Sequence, residues 1–92
     1  MVSFRDDESH RVFYRERSGK LPANIQRIAL RKLVMLDAAV SLADLRVPPG
    51  NRLEVLSGNR WGQHSIRVNR QRRVCFIWEN GGAHQVEITD YH

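Results

Sequence analysis

The residues best equipped for chemistry come last. The chain ends Asp90-Tyr91-His92, directly after the alternating run Ala83-His84-Gln85-Val86-Glu87-Ile88-Thr89. A strand ending there is expected to set a carboxylate, a phenol, an imidazole and the α-carboxylate together at one sheet edge. In a strongly basic protein these are the groups needed for acid–base work on a phosphodiester. A plainer reading makes Asp90 polar filler, Tyr91 a packed ring and His92 a frayed terminus. The remainder of the sequence weighs against it.

The second chemical signal is arginine. Arg60, Arg67, Arg70, Arg72 and Arg73 crowd a short stretch, more cations than solubility requires. In Gln63-His64-Ser65-Ile66-Arg67-Val68-Asn69, alternation puts 64, 66 and 68 on the face that meets the helices and sends Gln63, Ser65, Arg67 and Asn69 the other way. In the next run Val74, Phe76 and Trp78 form the apolar set, which leaves Arg73, Cys75 and Ile77 opposite. A hairpin around Arg70 that matches both apolar faces makes Arg67 and Arg73 direct or diagonal neighbours on the outer face. Two guanidinium groups that close repel unless they splay into solvent or share an anion. Phosphate binding is the reading adopted for Arg67 and Arg73, with Arg60, Arg70 and Arg72 as further candidates.

These residues need a scaffold, and the chain is short. Its 92 residues, 41% hydrophobic, make one domain over 1–92 with a single modest core. With 15 Lys+Arg against 10 Asp+Glu, a net charge of +5 and a pI near 10.3, it is drawn to polyanions: nucleic acid, an anionic membrane surface or an acidic protein. Charge alone does not choose among them. Cys75 is the only cysteine, which rules out an internal disulfide and points to a reducing compartment. In Val74-Cys75-Phe76-Ile77-Trp78 it reads as a small core residue rather than a nucleophile. The four histidines, at 10, 64, 84 and 92, show no metal-ligand spacing, and nothing implies a cofactor. With no signal-peptide-like start and no apolar run long enough to cross a bilayer, the expectation is a soluble, cytoplasmic, bacterial protein. His10 reads as a surface residue, His64 as a buried structural one, and His84 has no evident partner.

Periodicity then supplies the elements. Val2-Ser3-Phe4 reads as a short strand. Asp6 or Asp7 caps a first helix that carries Val12 and Phe13 inward and ends near Ser18-Gly19. Leu21-Pro22 opens a second helix whose Ile25, Ile28, Ala29, Leu33, Leu36 and Ala39 form one apolar face. Gln26, Arg27, Arg31 and Lys32 lie on its wet side, by default a solvated face. Ser41–Leu45 reads as an extra helical turn, and residues 46–52, with two prolines and a glycine, as a loop. Strands follow at about 52–57, 63–69, 72–79 and 83–90. The expected class is α+β: two N-terminal helices packed on a small antiparallel sheet.

With those residues in place, the chain resembles the HigB toxins of the RelE/ParE superfamily, the GraT-like subgroup above all. The resemblance is carried by Pro48-Pro49-Gly50-Asn51-Arg52-Leu53-Glu54-Val55-Leu56-Ser57-Gly58-Asn59-Arg60, by Gly62–Asn69, by Arg73-Val74-Cys75-Phe76 and by Val86–His92, together with Arg31–Ala39 in the second helix. It implies a RelE-like (microbial-RNase-like) fold and ribosome-dependent endonucleolytic cleavage of mRNA. It also implies a HigA-type helix-turn-helix antitoxin through which operator DNA would be bound. By the same resemblance Asp90, Tyr91 and His92 fall on the family's C-terminal functional cluster, and Arg73 falls on the residue that holds the scissile phosphate, with Arg67 beside it. Two positions depart from the pattern. Glu54 stands where some HigB toxins have a functional histidine, and Arg72 replaces the usual aromatic before Arg73.

The expected mechanism uses the RNA's own 2′-hydroxyl as nucleophile. Arg73 and Arg67 would hold the phosphate, Asp90 or Glu54 would help take the 2′-hydroxyl proton, and His92 would protonate the leaving 5′-oxygen, with Tyr91 stacking or hydrogen bonding. His92 could instead serve as base. Two alternatives remain at this stage: a ParE-like toxin that binds DNA gyrase, and a non-catalytic basic module acting as antitoxin-bound co-repressor.

Overall fold

The computed structural model describes residues 2–17 and 19–90. The first helix, α1, covers Asp7–Phe13 and is capped as the sequence predicts: Asp6 Oδ1 accepts the Ser9 amide at 2.9 Å. It closes earlier than expected. Arg15 adopts φ +61°, its amide bonds the Val12 carbonyl at 3.1 Å, and the Glu16 amide reaches back to Arg11 at 2.8 Å. That pair of bonds ends a helix in a left-handed cap, here on an arginine rather than the usual glycine. The second helix, α2, spans Ala23–Ala38 with Pro22 as its N-cap, one residue outside the first-turn position expected for it. Ala29, Leu33 and Leu36 are buried, and Ile25 and Ile28 pack against the same core.

Leu42–Arg46 forms a 3₁₀ turn held by reciprocal bonds between Ser41 and Asp44, with Leu45 buried beneath it. A second 3₁₀ turn, Pro49–Asn51, follows. Asn51 is wholly buried. Its Nδ2 donates to the Leu45 carbonyl at 3.1 Å and the Val47 carbonyl at 3.4 Å, while its Oδ1 accepts Lys32 Nζ from α2 at 2.6 Å. Burial and the neighbouring Arg31 hold the Lys32 ammonium below its ordinary pKa. Arg52 then turns left-handed at φ +46°. With residues 49–52 committed to this knot, the first strand shrinks from the expected 52–57 to Glu54–Val55.

The sheet consists of β1 (Glu54–Val55), β2 (His64–Arg67), β3 (Arg72–Glu79) and β4 (Gly82–Asp90), paired antiparallel in that order. Asn80 and Gly81, both at positive φ, make the two-residue turn that suits the twist of β3 and β4. Beyond β4, Phe4 bridges Val86 in the parallel sense, with the Arg5 amide on the Val86 carbonyl at 2.9 Å. The anticipated N-terminal strand therefore exists only as an edge bridge. Ile66, Val68, Val74, Phe76 and Val86 meet the helices through Val12, Ala29, Leu33 and Leu36. The architecture is α+β.

Candidate functional site

Pairing between β2 and β3 decides what the other face of the sheet carries. Arg67 and Arg73 are direct Cα partners, as are Ser65 and Cys75. Glu54 pairs with Ser65 from β1, while Glu87 and Thr89 of β4 face Cys75 and Arg73. One side of the sheet thus gathers Glu54, Ser65, Arg67, Arg73, Cys75, Glu87 and Thr89.

Like charges at Arg67 and Arg73 are kept apart by opposite anchors. Arg67 Nε donates to the Asn69 carbonyl at 3.1 Å. Arg73 Nε donates to Ser65 Oγ at 2.7 Å and its Nη2 to the Arg52 carbonyl at 2.7 Å, with Glu54 Oε2 3.7 Å from the same nitrogen. Only 11% of the Arg73 side chain is exposed, against 53% for Glu54. Arg52, Glu54, Arg67, Asn69, Arg70 and Arg73 line a polar cleft of about 360 Å³. Four arginines and one glutamate thus line the cleft, a basic concavity suited to an anion of more than one charge.

Arg60 lies farther along the same face. Its Nη1 bonds Glu87 Oε1 at 2.6 Å and Gln63 Oε1 at 3.2 Å, and its Nη2 reaches Thr89 Oγ1 at 3.4 Å. Its charge is therefore spent largely on Glu87 rather than offered to the cleft. Cys75 is buried beside these arginines, and desolvation pushes its thiol pKa up, against a lesser downward pull from Arg60 and Arg73. A neutral, covered thiol is a structural residue.

Arg72 and Asp90 are elsewhere. Alternation along β3 puts Arg72 on the helix side with Val74 and Phe76. It pairs with Asp90, and both line a separate cavity with Asp6, Glu8 and Lys20. Of the residues singled out from sequence, the structure brings together Glu54, Arg67, Arg70 and Arg73, sets Arg60 at the flank, and leaves Arg72 and Asp90 outside the cleft. Tyr91 and His92 lie outside the described residues. Among the described residues no group of three His, Cys, Asp or Glu side chains is placed to hold a metal ion, and no helix is long and apolar enough to cross a membrane.

Sequence reasoning missed three contributors: Arg52, which lends its carbonyl to Arg73; Ser65, which fixes the Arg73 fork; and Asn51, which holds the turn that delivers Arg52. Ser65 was legible in principle, because it shares the parity of Arg67 on the outer face. Asn51 had only a weak signal, one amide among turn-forming residues. Of the other histidines, His10 is exposed and meets the Phe4 ring edge-on and the Tyr14 ring at a tilt, and the His84 ring lies 3.1 Å from the Glu79 carbonyl. His64 stacks on Phe76 with 6.1 Å between ring centres, on the helix side as expected.

Comparison with known proteins bears on the family and the fold. Residues 2–92 match the family described as RelE-like toxin of type II toxin-antitoxin system HigB. Toxin HigB-1 of Vibrio cholerae serotype O1 is 46% identical over 80 residues, 87% of this chain and 76% of that protein. An uncharacterised protein of Haemophilus influenzae is 41% identical over 89 residues, covering 96% of this chain and 88% of its own length. Among solved structures, the YoeB-YefM complex from Staphylococcus aureus aligns over all of this chain and 95% of its own, with a TM-score of 0.59 and 15% identity. That last likeness is one of fold.

Proposed function

This chain belongs to the HigB family of RelE-like toxins of type II toxin–antitoxin systems, and from that premise we propose that it is a ribosome-dependent mRNA endonuclease neutralised by a HigA-type antitoxin. The observation that carries the reading is the arginine cleft, lined by Arg52, Arg67, Arg70 and Arg73 with Glu54 as its one acidic residue.

The chemistry follows from what these side chains can do to a phosphodiester. Arg73, held by Ser65 and the Arg52 carbonyl, keeps its Nη1 without a protein partner among the described residues, and Arg67 offers both terminal nitrogens beside it. Together they donate to the non-bridging phosphoryl oxygens, whose charge grows as the 2′-oxygen attacks. Glu54, at the cleft wall, is the carboxylate positioned to take the 2′-hydroxyl proton. Its place on the phosphate-binding face favours it over Asp90, which sits with Arg72. His92 donates to the departing 5′-oxygen in this scheme, and Tyr91 stacks or hydrogen bonds. The products are a 2′,3′-cyclic phosphate and a 5′-hydroxyl, so DNA, which has no 2′-hydroxyl, is not a substrate. The antitoxin is the proposed route by which the pair would meet operator DNA.

Mapping of 5′ ends on mRNA from cells briefly expressing the chain tests the proposal, beside Arg73→Ala and a variant lacking His92. Discrete new ends within translated frames, lost in both variants, are expected. Growth arrest without new ends would remove the nuclease reading, and a supercoiling assay would then ask whether gyrase is the target.

A further inference from the structure

Trp61 is the most exposed large apolar side chain among the described residues, at 83%, and it stands on a turn that is held in place. It caps the 3₁₀ turn Gly58–Arg60, with its amide on the Gly58 carbonyl at 3.1 Å. The Gln63 amide reaches the Arg60 carbonyl at 3.0 Å, and Gly62, at φ +90°, lets the chain turn into β2 directly after the ring. The Arg60 side chain fastens the turn to the outer face of the sheet through Glu87 and Thr89. Thr89 is the Cα partner of Arg73, so the turn is tied to the same row of the sheet as the best-held arginine of the cleft. We propose that Trp61 is a stacking platform for a base of single-stranded RNA, accepted without regard to its identity, on a nucleotide flanking the one whose phosphate sits in the cleft. The proposal rests on the RNA-cleavage reading and adds to it a contact outside the cleft.

Three observations favour RNA over a protein partner. First, the turn leaves the ring in water without an apolar surround. Its chain neighbours Ser57, Gly58, Asn59 and Gly62 are exposed and small or polar, whereas a protein hot spot sits within a collar of contacts that excludes water. A base needs only the flat face of the ring. Second, the charges are arranged for a single strand. Glu87 engages Arg60 at 2.6 Å, so the turn presents an uncharged aromatic, while the neighbouring cleft presents arginines. Proteins that track a single strand divide the work in this way, giving phosphates to cations and bases to rings. Third, position and rigidity suit a flanking nucleotide. The strand β2 runs from His64 to Arg67, roughly 10 Å, and the turn joins it at the end away from Arg67, so the ring meets a different nucleotide from the one whose phosphate Arg67 holds. A ring on an anchored turn also loses little freedom when a base settles on it. Stacking reads no hydrogen-bonding edge, which is why base identity matters little.

The test needs no cleavage. A short RNA oligonucleotide, 2′-O-methylated throughout so that the nucleophile is blocked, is titrated against the full chain, beside an abasic backbone of the same length. Fluorescence anisotropy of the end-labelled oligonucleotide gives affinity across a salt series, and tryptophan quenching by the unlabelled one reports stacking. Trp61→Ala is expected to weaken binding of the base-bearing oligonucleotide roughly tenfold and to leave the salt slope unchanged, because no phosphate contact is lost. The abasic backbone should bind the parent chain and Trp61→Ala alike. Trp61→Phe, which keeps an aromatic face, should retain most of the affinity and lose the quenching, since the remaining Trp78 is half-buried against the core. Equal affinity of the parent and Trp61→Ala, with Arg67→Ala still weakening both, overturns the platform and leaves the proposed function standing. So does a Trp61→Ala that binds RNA normally and fails to hold the antitoxin, which assigns the ring to a protein partner. A flattened salt slope in Trp61→Ala overturns stacking, because the ring would then be supporting a phosphate contact. No binding of either oligonucleotide by the parent chain overturns both readings.

Discussion

Arg73 matters less for its charge than for how that charge is held. Ser65 and the Arg52 carbonyl take two of its donors at 2.7 Å each, which fixes the guanidinium plane and aims the remainder at the cleft. A lysine would bring the same charge on a flexible stem and could not answer both anchors while reaching a phosphate. Arg73→Lys is therefore expected to slow single-turnover RNA cleavage about a hundredfold, the typical loss when one aimed donor to a developing oxyanion is removed, with RNA affinity near that of the parent chain. An unchanged rate would mean that charge alone suffices there. Much of this arrangement is readable from sequence, because period-two alternation ties Arg67 and Arg73 to one face once Ile66 and Val74 are placed inside. The same parity assigns Arg72 to the helix side with Val74. Grouping it with Arg73 followed nearness along the chain, and alternation outranks nearness in a strand.

At the scale of elements, the segment between α2 and β1 decides whether the cleft is assembled. Asn51 joins Lys32 of α2 to the Leu45 and Val47 carbonyls, and the next residue presents its carbonyl to Arg73. Asn51→Ala strands these groups without partners, so a loss of about 1–3 kcal/mol in unfolding free energy is expected, readable in urea denaturation. Cleavage should fall further than the population of folded protein explains, because Arg73 loses a fixed anchor. The preceding turn has its own switch. The Val40 and Ser41 amides donate to Asp44 and hold its carboxyl below the ordinary aspartate pKa. A depressed folded pKa gives stability that is present above the unfolded value and lost as pH falls through the folded one. The Tm gap between the parent and Asp44→Ala is accordingly expected to be full at neutral pH and to narrow in acid; a gap constant down to strongly acidic pH would count against it. The helices were legible from their caps and apolar period. The short β1 was not, since it is set by a buried amide whose partners lie 4 to 19 residues away. The Phe4–Val86 bridge was not legible either, being a pairing between opposite ends of the chain that no local pattern encodes.

Across the whole molecule, a net charge of +5 is spread over more than one surface, and only part of it belongs to the cleft. Arg67 lines the cleft. Arg27, on α2, lines a different groove with Arg15 and Arg17. Both attract a polyanion at long range, but only a cation that contacts phosphate releases a condensed counterion on binding. The two contributions separate in the dependence of affinity on salt. For single-stranded RNA the slope of log K against log salt changes by about 0.7 for each phosphate contact removed. Arg67→Ala is expected to flatten the slope by about that amount, whereas Arg27→Ala should lower affinity slightly at low salt and leave the slope as it was. Filter binding of a short unstructured RNA across a salt series reads both. If Arg27→Ala flattened the slope as much as Arg67→Ala, RNA would lie along the helices as well as the sheet. The second basic groove would then be part of the track that leads an mRNA to Glu54, Arg67 and Arg73.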